Sequence, residues 1–370
     1  MQGLAVGIGS FHFELHSAEA PPIVQVWPER VRRALEAIPS VRDVEIEVPR
    51  TYDPASPKDV PGIRYSPHPT SGQIRFRLNI PSRIQKEVFR HWRGTQWENY
   101  TVLMFYTPGD PVAFVFVDDA GAETSAAFAV ALVRNFIERE MKRLGEASEG
   151  VHFVCRGPSP FHVDLSFQPE HGTWDGDKAF ERVGMVVEKR QSPGYPEMTV
   201  RFDATRFGGA NKAAVTFASL TLEQIGLFYR LVAQGGRRAD QAREVRQQVD
   251  RLISVHQRAG VKAWFLRVFR SGAWARELGL QVLILTYTFS EERRGAKEAV
   301  ARLCDDADLP AFRSWLEEEL AVDHNDDLEN CREIAEMLEP RRLRETNAVL
   351  VISVAIVSAV LGALLKGLAG

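Results

Sequence analysis

Two stretches of the 370-residue chain carry side chains able to do chemistry. The first is Phe11-His12-Phe13-Glu14-Leu15-His16. Period two sends Phe11, Phe13 and Leu15 to one side of a strand and His12, Glu14 and His16 to the other. Two imidazoles and a carboxylate are ligand types for zinc or iron. Neighbours on one strand face stand about 6–7 Å apart, so sharing a metal ion would require curvature or a bulge. A solvated strand face is the plainer expectation, and the HExxH helix pattern occurs nowhere in the chain. No metal and no cofactor is expected.

The second stretch is GPSPFHVDLSF, residues 157–167. Pro158 and Pro160 fix the entry to a strand whose polar face holds His162 and Asp164, with Ser159 close in sequence. Serine, histidine and aspartate invite a hydrolase reading, but the spacing opposes it. A nucleophile needs a strained elbow such as G-x-S-x-G, and two triad members two residues apart on a strand do not converge. A polar binding surface fits better. If the two strands are neighbours, His12, Glu14, His16, His162 and Asp164 form one patch, which is the expected binding site. No residue is assigned a catalytic role.

Other motifs fail on spacing. Gly7-Ile8-Gly9 has neither a preceding strand nor a third glycine, and Gly208-Gly209-Ala210-Asn211-Lys212 lacks the phosphate-loop spacing. Residues 323–327 begin like a calcium loop, but Leu328 stands where glycine is needed and Ile334 where the bidentate glutamate is needed. Asp326 with Glu329 reads instead as a helix N-cap. Cys155, Cys304 and Cys331 are too few for a disulfide scaffold or a four-cysteine zinc site, and are expected as buried thiols.

The elements that must position these residues follow from periodicity. Val44, Ile46 and Val48 alternate with charged residues, as do Ile74, Phe76, Leu78 and Ile80, and Phe161 to Phe167 repeats the pattern. Residues 102–106 and 112–117 are continuously apolar and flank a TPGDP turn, so they form a central hairpin. Helices are expected at 27–38, at 82–92 behind a Ser82/Gln85 capping box, and at 124–144 up to Gly145. Residues 49–69 hold six prolines and read as a loop.

After about residue 220 the pattern becomes helical. Thr221 with Gln224 opens a helix through Val232, Gly235-Gly236 breaks it, and 237–258 is a polar amphipathic helix. Helices follow at 291–304, 310–322 and 326–338. Residues 278–289 are apolar and read equally as one strand or as a buried helix. Residues 237–270 hold nine Lys/Arg against three Asp/Glu. Lys262, Trp264, Arg267 and Arg270 lie there on a basic amphipathic helix suited to an anionic lipid surface.

The strongest signal is the run AVLVISVAIVSAVLGALL, residues 348–365, which carries no charge. As a helix it spans about 27 Å, close to the hydrocarbon thickness of a bilayer. Arg341, Arg342 and Arg344 precede it and only five residues follow, so a single-pass tail anchor with cytoplasmic N-terminal domains is expected. No secretory leader and no lipidation signal is expected. Ala355, Ala359 and Ala363 repeat every four residues, the spacing that lets two such helices pack in lipid.

Composition agrees with an ordinary folded protein: 45% hydrophobic, 26% charged, net charge −3, with 46 Lys+Arg against 49 Asp+Glu. That balance argues against nucleic acid as a partner. The expected fold class is therefore α+β, a mixed or antiparallel sheet domain over residues 1–215. A helical domain over 216–346 and one C-terminal transmembrane helix over 347–366 follow. The expected function is a membrane-tethered, cytoplasm-facing sensor or docking module, or a membrane effector acting through oligomerised anchors. The expected partners are the lipid bilayer, a second copy through the anchor, and an unidentified protein or small-molecule ligand. The alternative is a membrane-tethered metal-dependent or hydrolytic enzyme using the polar patch.

Overall fold

The computed structural model describes residues 4–15, 23–49, 69, 71–88, 97–107, 111–117, 126–155, 164–171, 179–190, 197–305, 310–322, 327–334, 336–337, 347 and 350–358. The chain divides into two compact units. One is Met1–Ala233 with Ala299–Glu319, the other Gln234–Glu298 with Leu320–Gly370.

The first unit is α+β, as the alternating patterns require. Its strands are β1 (Leu4–Gly9), β2 (Phe11–Leu15), β3 (Val41–Glu47), β4 (Gly72–Asn79), β5 (Asn99–Tyr106), β6 (Val112–Val117), β7 (Val151–Cys155), β8 (Asp164–Glu170), β9 (Met185–Arg190) and β10 (Glu197–Asp203). Eight of them form a mixed sheet in the order β3-β4-β5-β6-β1-β8-β10-β9, and β2 with β7 forms a second, two-stranded sheet. Among the described residues of the large sheet, β8 and β10 run parallel and the other paired strands antiparallel. The hairpin expected around TPGDP is β5–β6, paired from Tyr100↔Val117 to Phe105↔Val112.

Helices α1 (Ile23–Glu36), α2 (Ser82–Val88) and α3 (Ala126–Leu144) cover this framework. Every residue of β1 and β6 is buried, which explains why β6 reads as an unbroken apolar run. One core joins Phe11, Phe13, Trp27, Ile74, Phe76, Val102, Val115 and Phe136. Helix α3 ends where Gly145 takes φ +53, a conformation glycine adopts without a Cβ penalty.

Several local expectations are corrected. Helix α1 begins at Ile23, so Pro28 lies inside it and forfeits one intrahelical hydrogen bond. Ser82 and Gln85 both tie α2 to the chain around it. The Ser82 N–H donates to Glu98 Oε1 at 2.7 Å, while Gln85 Nε2 donates to the carbonyls of Ile80 at 2.8 Å and Trp97 at 2.6 Å. Short helices α4 (Ala179–Arg182) and α5 (Ala204–Phe207) then lead into α6 (Ala210–Gln257), a single helix of 48 residues. Thr221 does not open a helix. It lies inside α6 and bonds back to the Phe217 carbonyl at 2.8 Å. Gly235-Gly236 does not interrupt α6 either, because glycine lowers helix propensity by only about 1 kcal/mol and packing along the rest of the helix outweighs it. The expected domain boundary at 215/216 falls within α6.

The second unit is helical. Helix α7 (Val261–Phe269) is followed by α8 (Ser271–Asp305), whose end from Ala299 belongs to the first unit, as does α9 (Pro310–Ala321) up to Glu319. Residues 278–289 belong to α8, so the strand alternative is excluded. The core here gathers Ala242, Val245 and Val249 of α6, Leu278, Val282 and Phe289 of α8, and Leu328 and Cys331 of the helical stretch 327–334.

The expected transmembrane helix is not found. Among the described residues no helix is long and apolar enough to cross a membrane. Of the run 348–365, residues 350–358 are described, as a helix exposed throughout. Ala355 lies in it, whereas Ala359 and Ala363 lie outside the described residues.

Candidate functional site

The sequence patch divides between the two sheets. After Ser10 the chain leaves the large sheet, and β2 pairs antiparallel with β7 from Phe11↔Cys155 to Leu15↔Val151. Strand β8 pairs with β1 instead, in the register Leu4↔Phe167, Ala5↔Ser166, Val6↔Leu165. One further step of that register sets Asp164 level with Gly7, five residues before His12. Among the described residues, the strand of His12 thus pairs with β7, and the strand of Asp164 with β1 and β10. His16 and His162 lie outside the described residues.

Phe11, Phe13 and Leu15 are buried, as alternation predicts. His12 is fully buried as well, which corrects the solvated-face expectation. Its side of β2 is covered too: the Tyr106 ring stands edge-on to the imidazole at 6.5 Å. His12 Nε2 lies 2.6 Å from Glu14 Oε1. With Glu14 ionised, Nε2 carries the proton and donates it, a charge-assisted bond. Glu14 reaches solvent, its side chain 24% exposed, so the pair opens outward at the carboxylate.

Tyr106 completes this polar cluster from β5. Its hydroxyl accepts from the Phe13 N–H at 3.0 Å and donates to the Phe13 carbonyl at 3.4 Å. The Trp27 Nε1–H donates to the same carbonyl at 3.3 Å. Sequence reading missed both residues, because nothing in the spacing of β5 or α1 reports a partner on β2. Burial pushes the Tyr106 phenol well above its ordinary range, and the Glu14 charge adds to the effect.

That shift has a testable sign. Below pH 10 the phenol is protonated in both folded and unfolded chains. Above it the unfolded chain releases a proton that the folded chain keeps, so the stability contributed by Tyr106 falls as pH rises. Tyr106→Phe should cost about 1–3 kcal/mol near neutrality, because it strands the Phe13 N–H. The gap to wild type should then narrow by about 1.4 kcal/mol per pH unit above about pH 10. Urea unfolding across that range measures both; a gap that stays constant contradicts the assignment.

Among the described residues the cluster joins one imidazole to one carboxylate. Ser10 falls on the same period as His12 and Glu14 and is buried. Its Oγ has no hydrogen-bond partner among the described residues, so no hydroxyl-to-imidazole bond of a nucleophilic triad forms. Among the described residues no group of three or more His, Cys, Asp or Glu side chains could hold a metal ion. Cys155 is half-buried rather than fully buried, and Cys304 and Cys331 are buried free thiols.

The second candidate surface lies on α7. Lys262, Phe265, Phe269 and Arg270 are exposed, and Trp264 and Arg267 are half-buried. The rings of Phe265 and Phe269 stack 4.5 Å apart with an interplanar angle of 34°. Arg267 is not turned outward with the other cations. Its Nη1 donates to the carbonyls of Val255 at 3.1 Å and Arg258 at 2.7 Å, satisfying the end of α6. The outward set is therefore two aromatic rings between two cations.

No family model, curated protein or solved structure matches the chain.

Proposed function

We propose that the chain is a membrane-held docking module, its two units kept at the cytoplasmic face of a bilayer by the segment 348–365. The observation that carries this reading is that segment: eighteen residues without a charge. In its described part, Leu350, Val351, Ile352, Val354, Ile356 and Val357 all stand exposed. Each such side chain gains about 1.5–3 kcal/mol on leaving water, so the run requires an apolar environment. A bilayer supplies one around the whole circumference of a helix.

Two further features support the reading. Arg341, Arg342 and Arg344 precede the run, the bias that keeps the preceding chain on the cytoplasmic side. Lys262 and Arg270 flank Phe265 and Phe269 on α7 with no acidic residue from Val261 to Arg270, a surface suited to anionic headgroups. The site of docking on the first unit is the polar cluster opened by Glu14.

Membrane flotation of the full chain tests the proposal. Wild type should float with membranes and stay there through carbonate and high-salt washing, since an apolar span is indifferent to ionic strength. The triple variant Val351→Asp, Val354→Asp, Val357→Asp should move to the soluble fraction, because aspartate in a membrane helix costs about 2.5–3.5 kcal/mol per residue. Wild type washing off in carbonate would refute the membrane assignment.

A further inference from the structure

Helix α8 is apolar on two opposite sides. Leu278, Val282 and Phe289 face the core of the second unit and are buried. On the opposite side Leu280, Leu283, Ile284 and Tyr287 are 59%, 62%, 55% and 68% exposed. At about 100° per residue those four positions fall within one arc of about 100°, a continuous stripe roughly 10 Å long. A helix apolar on both sides is ordinarily covered on both, and here one side is exposed.

The charges at the ends of the stripe point to what covers it. Arg276 and Glu277 lie one turn before Leu280, and Glu291 and Arg294 lie one and two turns after Tyr287, all on the stripe's side of the helix. Glu291 and Arg294 already form an ion pair at 2.6 Å. We propose that the stripe is a self-association surface, on which α8 of a second copy packs antiparallel about a two-fold axis passing between Leu283 and Ile284.

In that arrangement Leu283 and Ile284 straddle the axis and meet the partner's Leu283 and Ile284. Leu280 meets the partner's Tyr287. Arg276 stands opposite the partner's Glu291, and Glu277 is one helical turn from the partner's Arg294. Symmetry makes each of these contacts twice. A parallel pair would set Arg276 against Arg276 and Glu291 against Glu291, which is repulsive. Anionic lipid suits the stripe poorly, because Glu277 and Glu291 close it at both ends; the α7 surface, with no acidic residue, differs in this respect. The proposal is independent of the membrane reading, since it uses only the exposed side of α8.

Cysteine cross-linking of the full chain tests it, in a Cys155→Ser background that leaves only the buried Cys304 and Cys331. Leu283→Cys and Ile284→Cys should each form oxidised dimers at least about fivefold faster than Leu280→Cys or Tyr287→Cys alone. Mixing the Leu280→Cys and Tyr287→Cys chains should recover fast cross-linking. Arg276→Glu or Glu291→Arg alone should lower the yield at Leu283→Cys, and both together should restore it. Equal rates at all four positions would overturn the antiparallel arrangement. No dimer at any position would overturn self-association and leave the stripe to lipid or to a different protein. The same pattern is expected in detergent and in membranes, so a chain that fails to float can still pass this test.

Discussion

Gly7→Ala should destabilise the first unit by about 3 kcal/mol or more, although it adds a single methyl group. A Cβ built on Gly7 would overlap the carbonyl oxygen of Ala126 and the side chain of Val130, both on α3. The carbonyl is main chain and cannot rotate aside, so α3 would have to lift from the sheet. Strand β1 cannot give way in its place, because it is paired with β6 on one side and β8 on the other. Gly9→Ala provides the internal comparison. Its Cβ would meet the side chains of Val130 at 2.8 Å and Phe11 at 2.9 Å, which can adjust, so a smaller loss is expected. Urea unfolding followed by circular dichroism decides the matter. A Gly7→Ala chain within about 0.5 kcal/mol of wild type would show that α3 does not depend on this close approach.

Trp27→Ala should cost about 3–5 kcal/mol, the range for deleting a fully buried large aromatic side chain. Trp27 is completely buried on α1, its ring edge-on to Tyr106 with centroids 4.9 Å apart. It also holds the Phe13 carbonyl through Nε1, so the change removes packing and one buried donor together. Trp27→Phe retains most of the volume and loses the hydrogen bond with a smaller part of the packing, so it should cost about 1–2 kcal/mol. The same unfolding measurement distinguishes the two variants. A Trp27→Ala loss below about 1 kcal/mol would mean that α1 does not clamp β2.

These two positions illustrate what periodicity cannot report. Gly7 lies in a segment that reads as a failed phosphate loop, yet its role is steric and set by a helix more than a hundred residues later. His12 reads as solvent-facing, because alternation tells which residues share a side and not whether that side is covered. Tyr106 lies on β5, and its place over β2 arises from the chain changing sheets after Ser10.

By itself, the sequence determined strands β2, β3, β4, β5, β6 and β8, most of the helices of the first unit and the α+β class, while β1, β9 and β10 carry no alternation that it reported. Period-two and period-3.6 burial are properties of one segment against one core, so they are written locally. It also determined the uncharged run 348–365 and the surplus of cations over 237–270. Tertiary structure alone decided the continuity of α6 through Thr221 and Gly235-Gly236, where packing outweighs local signals worth about 1 kcal/mol. It decided that residues 278–289 are helix. Two apolar sides on one helix give the same unbroken run as a buried strand, and only the partners across space separate them. It separated His12 from Asp164 by pairing their strands in different sheets, because register and strand order depend on residues far apart in the chain.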